Sequence, residues 1–176
     1  MTSATPSRRH FLSGSVTGAA ALALGGGQAV ARGDSDTPFV YEVEHSEAEW
    51  KEMLTDQEFK ILRQGQTELP KSSDLWDETR NGTFCCRGCG LSVYEARNKV
   101  ELEKGWAFFK HSVPNSVMTG IDGPQEEYGQ MADSLITMIE AHCRRCGSHL
   151  GHILNVDGQI LHCINGAALD FEAKSA

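Results

Sequence analysis

Cys86-Arg87-Gly88-Cys89-Gly90 and Cys143-Arg144-Arg145-Cys146-Gly147 share the spelling C-x-x-C-G, and their reading decides the fold. Together the two hooks supply four thiolates, the donor set of a closed tetrahedral zinc site. The two-residue spacing lets one tight turn point both sulfurs at the metal. The glycine after each hook permits a left-handed backbone, so that nearby amides can face the sulfurs. One hook alone could be a redox dithiol, but two with matching glycines favour structural zinc. Two disulfides are the alternative, and Cys85 and Cys163 are left to be explained.

Working outward, the chain from Gly82 onward consists of short apolar runs separated by Gly, Asn and Asp turns. They are Thr83-Phe84, Leu91 to Tyr94, Val100 to Leu102, Trp106 to Phe109, Leu135 to Ala141 and Ile160 to Ile164. That spacing predicts a mainly β fold of antiparallel sheets, with the hooks on neighbouring hairpin turns as a stabilising zinc knuckle. Pro114 to Gln130 shows no period and reads as a loop. Two short helices precede the strands. Ser46-Glu47-Ala48-Glu49 and Thr55-Asp56-Gln57-Glu58 are capping boxes. Trp50, Met53 and Leu54 form the apolar face of the first helix. Phe59, Ile61 and Leu62 follow the second box, and Gly65 is a stop signal. These helices are expected to serve as packing or as a lid.

The first 31 residues are set apart. Ser7-Arg8-Arg9-His10-Phe11-Leu12 is a twin-arginine signature, followed by an apolar Gly- and Ala-rich run from Val16 to Leu24. Ala29-Val30-Ala31 then offers a small-x-small cleavage pattern. Residues 1–31 therefore read as a signal peptide for export to the periplasm, 32–45 as a linker and N-terminal segment, and 46–176 as one domain. The apolar run is too short for a membrane span, so no membrane association is expected once the signal is removed. The formal net charge is −8, and it deepens when Arg8 and Arg9 leave with the signal. No basic cluster remains to follow a phosphate backbone, which argues against a nucleic-acid partner. Twin-arginine export carries folded proteins, so zinc could be loaded before the thiols meet an oxidising compartment.

The remaining chemistry lies toward the C-terminus, in His149-Leu150-Gly151-His152, Cys163-Ile164-Asn165-Gly166 and Gly105-Trp106 with Phe108 and Phe109. A lone strand cysteine is commonly an apolar filler, and a lone histidine is commonly structural. Here a thiol, two histidines, an amide and an indole accumulate around one core. Histidine can deliver a proton near neutral pH, a thiolate is a nucleophile, and an indole face packs on a methyl or thioether. These groups suit a thiol attacking a small polarised centre.

In these segments the chain resembles the type B methionine sulfoxide reductases. Their pattern is two C-x-x-C hooks, then C-G-x-H-L-G-H, then C-x-N before a short apolar strand. It is matched by Cys86/Cys89, Cys143/Cys146, Cys146 to His152, and Cys163-Ile164-Asn165, over roughly Glu49 to Phe171. The resemblance implies zinc on Cys86, Cys89, Cys143 and Cys146. It also implies attack by Cys163 on the R epimer of methionine sulfoxide in proteins or peptides, leaving a sulfenic acid. His149, His152 and Asn165 would hold or protonate the sulfoxide oxygen, and Trp106 would pack on the substrate methyl. A thioredoxin-like protein or a small thiol would restore Cys163.

The chain departs from the family pattern at several positions. Trp106-Ala107-Phe108-Phe109 stands where W-P-S-F is usual, Leu161 where Arg is usual, and Met138-Ile139-Glu140 where R-T-E is usual. Lys104 holds the usual position of a resolving cysteine. Fewer nearby cations would leave Cys163 a weaker thiolate. Cys85, beside a zinc ligand, reads as a packing residue rather than a resolving partner. Two other readings compete: a zinc-stabilised binding module of the same fold without the chemistry, and a general thiol–disulfide oxidoreductase using one hook.

Overall fold

The computed structural model describes residues 39–122 and 138–175. The expected signal peptide, residues 32–38 of the linker, residues 123–130 of the expected loop and the first residues of the Leu135 to Ala141 run lie outside the described residues.

Both capping boxes form. Helix α1 (Glu47–Met53) is closed by Ser46 and Glu49, and α2 (Asp56–Gln64) by Thr55 and Glu58. In each, the cap side chain accepts from the N3 amide while the N3 carboxylate reaches back to the cap amide. Gly65 ends α2 in the left-handed conformation at φ 70°. Trp50, Leu54, Phe59, Ile61 and Leu62 are buried, whereas Met53, expected on the apolar face, is 54% exposed. In so short a helix, one turn of apolar contact is all that the neighbouring elements cover.

The strands are β1 (Gly82–Cys86), β2 (Ser92–Glu95), β3 (Lys99–Val100), β4 (Ala107–Phe109), β5 (Val117–Asp122), β6 (Met138–Cys143), β7 (His149–Val156), β8 (Gln159–Ile164) and β9 (Leu169–Ala173). One antiparallel sheet has the order β2-β1-β9 and the other the order β3-β4-β8-β7-β6-β5. The expected antiparallel β architecture with short N-terminal helices is the observed one. Three details differ. Val117–Asp122, placed in a loop by its lack of period, is an edge strand paired with β6 from Val117↔Cys143 to Asp122↔Met138. The Val100 to Leu102 run yields only the two-residue β3. Strand β7 was not anticipated, since its start reads as a chemical segment, whereas β9 is the short strand that the resemblance implies after Cys163-Ile164-Asn165.

Aromatic packing joins the sheets. The Phe84 ring meets Phe109 at 5.0 Å and Phe171 at 4.9 Å, and Tyr94 stacks on Phe109 at 4.3 Å. Val93, Ala107, Ala141, Leu150, Ile164 and Leu169 complete one buried cluster with the helix residues. Residues 39–45 pack on the second hook: the Val43 amide donates to the Arg145 carbonyl at 3.0 Å. No helix among the described residues is long and apolar enough to cross a membrane.

Candidate functional site

The first hook occupies the β1–β2 turn and the second the β6–β7 turn, so hairpins from different sheets bring their sulfurs together. The Sγ atoms of Cys86, Cys89, Cys143 and Cys146 all lie within 4.8 Å of one another. Cys86 and Cys146 are 3.7 Å apart, and Cys89 and Cys143 are 3.5 Å apart. Four sulfurs held about 2.3 Å from one ion would be about 3.8 Å apart at tetrahedral angles, so the donor set fits a single metal ion. All six cysteines are free thiols, which leaves no disulfide in the hooks. Gly90 and Gly147 sit at φ 70° and 69°, the left-handed turns that the repeated spelling predicts. Their amides close the turns on the carbonyls of Cys86 and Cys143, while the Leu91 amide bonds the Cys89 sulfur. Helix α2 braces this knuckle through Arg63, which donates to the Cys146 carbonyl at 3.1 Å.

Strand register builds the second site. Phe108 of β4 pairs with Cys163 of β8, Cys163 with His152 of β7, and His152 with Glu140 of β6. Directly opposed residues of antiparallel neighbours share a face, so these four side chains form one row. The next row on β4 and β8, Phe109 and His162, faces the other way. Phe109 lies in the core, so Cys163 points away from it. A cavity of about 140 Å³ opens there, lined by Thr67, Trp106, Gly151, His152, Leu154, Cys163 and Asn165. The structure thus places Trp106, His152, Asn165 and Cys163 at one cavity.

His149 does not line this cavity. Its ring lies 5.1 Å from that of His152, and its Nδ1 is 2.7 Å from Glu140 Oε1. Its Nε2 is buried and has no hydrogen-bond partner among the described residues. His152 Nε2 is 3.0 Å from Asp122 Oδ2. Each histidine is therefore backed by a carboxylate, which fixes its ring orientation. The neighbouring imidazoles, His142 with its Nδ1 3.6 Å from Oε2 and then hydrogen-bonded His149, hold the Glu140 carboxyl far below the usual carboxylate range. Asn165 spends much of its amide locally: its Oδ1 accepts from the Glu68 amide at 3.0 Å and its Nδ2 donates to the Leu150 carbonyl at 3.1 Å.

Burial, and next the charge of Glu68, push the Cys163 thiol up to about 12. The cavity lining contains no Lys or Arg. Leu161, which pairs with Leu154, is 1% exposed, and Phe108, which pairs with Cys163, is 2% exposed, so two of the departures put buried apolar side chains on the Cys163 face of the sheet. Cys85 is buried in the other sheet with its sulfur 3.7 Å from Ser92 Oγ, and burial raises its thiol also.

Sequence reading did not assign Glu68, Asp122, Glu140 or Gly151 to the site. Asp122 falls in a stretch without period, and Glu68 in Thr67-Glu68-Leu69-Pro70, which carries no motif. Gly151 had a signal in its place between two histidines. A Cβ there would lie 2.2 Å from the Cys163 carbonyl oxygen and 2.9 Å from Ile164 Cα, both backbone atoms that cannot swing aside. Gly151→Ala is expected to destabilise the fold by about 1–3 kcal/mol or more and to displace Cys163. Urea unfolding, with alkylation of Cys163 as the local probe, checks this; wild-type values for both would refute the close approach.

Fold and site together define a class, a two-sheet β protein carrying a four-cysteine knuckle and a separate thiol facing an indole, an imidazole and an amide. The SelR domain matches residues 54–173. The chain is 34% identical to a peptide methionine sulfoxide reductase MsrB of Leptospira interrogans over 138 residues, 76% of this chain and 98% of that one. It is 32% identical to the chloroplastic peptide methionine sulfoxide reductase B2 of Arabidopsis thaliana over 181 residues, 98% of this chain and 83% of the relative. Among solved structures, a Mis18 Yippee-like domain aligns with 55% of this chain and 100% of its own length, at 17% identity and a TM-score of 0.43. The chain belongs to the SelR-domain family, the type B methionine sulfoxide reductases.

Proposed function

We propose that this protein reduces the R epimer of methionine sulfoxide in proteins or peptides, with Cys163 as the nucleophile. The observation that carries this reading is the cavity, where the one thiol outside both the knuckle and its neighbour Cys85 meets Trp106, His152 and Asn165. In the reaction, the sulfoxide S–O bond breaks and an S–O bond forms on Cys163. The sulfoxide sulfur gains two electrons, the Cys163 sulfur loses two, and the thiol proton ends on the sulfenic hydroxyl. Because burial disfavours a free thiolate, attack is coupled to proton transfer toward the sulfoxide oxygen. The pairing of His152 with Cys163 in the neighbouring strand, with His149 behind it, supports His152 in this role. Trp106 offers an apolar face to the methyl group.

A thioredoxin-like protein or small thiol then attacks the sulfenic sulfur, releasing water and leaving a mixed disulfide that a second thiol reduces. Buried Cys85 is a packing residue in this scheme. The knuckle holds one structural zinc ion on Cys86, Cys89, Cys143 and Cys146, consistent with the sulfur spacing. The burial that raises the Cys163 thiol favours one second reading, a binding module without turnover. Single-turnover assays with each sulfoxide epimer distinguish the two: release of methionine from the R epimer alone supports the reductase, and release from neither supports the module.

Residues 1–31 are proposed to send the folded protein to the periplasm by the twin-arginine route, on the sequence signature alone. Replacing Arg8 and Arg9 with Lys is expected to hold the precursor in the cytoplasm, since the signature relies on paired guanidinium groups. Fractionation and immunoblotting provide the check; unchanged periplasmic recovery would overturn the assignment.

A further inference from the structure

Glu68 lies after α2 in the segment that covers the Cys163 face of the large sheet, and it is 3% exposed. A buried carboxylate is costly unless its oxygens find donors, and here both do. Oε1 accepts the Gly166 amide at 2.6 Å and Oε2 the Ala167 amide at 2.9 Å. The residue's own peptide group is engaged at both ends. Its amide donates to Asn165 Oδ1 at 3.0 Å, and its carbonyl accepts Trp106 Nε1–H at 3.2 Å. Bonds thus run from Trp106 through Glu68 to Asn165, and on to the Leu150 carbonyl of β7, around the cavity that Trp106, Asn165 and Cys163 line.

We propose that Glu68 is the positioning residue of the Cys163 cavity, fixing the indole wall and the Asn165 turn while seating a buried carboxylate on the amides that follow Asn165. The two amide donors of the Gly166–Ala168 turn suit two carboxylate oxygens; a glutamine would place its NH₂ against one of them. Burial raises the Glu68 carboxyl and these two bonds oppose the rise. Besides Cys163, His152 of β7 is the titratable group that lines the cavity, while the Glu68 carboxylate sits on the Gly166 and Ala167 amides next to the lining residue Asn165. Strand β4 contributes Phe108, and Trp106 precedes it, neither titratable. The charge of Glu68 acts on Cys163 after burial, in the same upward direction.

The inference rests on reading Cys163 as the reactive thiol, and its test reads that thiol without any sulfoxide. Iodoacetamide labelling of Cys163 across pH, followed by the mass of its peptide, is compared in wild type, Glu68→Gln, Glu68→Asp and Glu68→Ala at matched zinc content. Glu68→Gln is expected to move the labelling midpoint down by about one pH unit and to lower kcat/KM about tenfold. Glu68→Asp, which keeps the charge, should restore the midpoint. A Glu68→Gln midpoint equal to wild type overturns the proposal. If Glu68→Ala fails to fold, the Gln and Asp variants still decide it. Absence of sulfoxide turnover in the wild type would refute the reductase reading and leave the labelling result standing.

Discussion

Cys163→Ser is expected to abolish reduction of R-methionine sulfoxide, by at least about 10³-fold, while leaving fold and metal content unchanged. Serine is nearly isosteric with cysteine, and Cys163 lies on the face of the sheet turned away from the aromatic core, so little packing is lost. What disappears is a sulfur that can accept the sulfoxide oxygen and be reduced again. Four of the remaining thiols are committed to the knuckle and Cys85 is 3% exposed, so no other cysteine can substitute. The measurement is methionine released per enzyme in one turnover, with the epimers assayed separately. His152→Ala should cost about 10² to 10⁴ if its imidazole moves the proton. His149→Ala should cost a comparable amount if the unpaired Nε2 takes part. A Cys163→Ser protein that still reduces the R epimer would overturn the mechanism.

Removal of the metal is expected to unfold the protein or sharply lower its melting temperature. The two hooks close hairpins belonging to different sheets, so one ion held by all four thiols would tie the β1–β2 hairpin to the β6–β7 hairpin. Zinc binding in such sites is worth about 10–16 kcal/mol, as much as the whole stability of a typical domain, about 5–15 kcal/mol. Without the ion, four thiols crowd together in a mostly buried cluster with nothing to neutralise them once ionised. Chelator titration followed by circular dichroism, with metal content by emission spectroscopy, tests this. A metal-free protein with two disulfides and an undiminished melting temperature would sink the claim.

The sequence by itself determined what is local. Both capping boxes and the Gly65 stop involve residues three to ten positions apart, and the structure forms each as spelled. The hooks were legible because a turn, a left-handed glycine and two sulfurs fit within five residues. The second hook, with the same C-x-x-C-G spacing, announced a partner at long range. The segment from Cys146 to His152 and the Cys163-Ile164-Asn165 triplet were legible as chemistry because their residue types are unusual together.

Only the tertiary structure decided which groups meet. The row Phe108–Cys163–His152–Glu140 comes from strand register, and a slip of one residue would send Cys163 into the core face. No local pattern encodes that register. Edge strand β5, with Thr119 and Gly120 interrupting its apolar residues, takes its identity from pairing with β6, and through it Asp122 reaches His152. Glu68 is an ordinary acidic residue in a polar stretch until the turn after Asn165 closes its two amides onto it. The physical reason is common to all three. Side-chain chemistry and short turns are properties of a few consecutive residues. A buried charge's partners and a thiol's face depend on backbone brought together from distant parts of the chain.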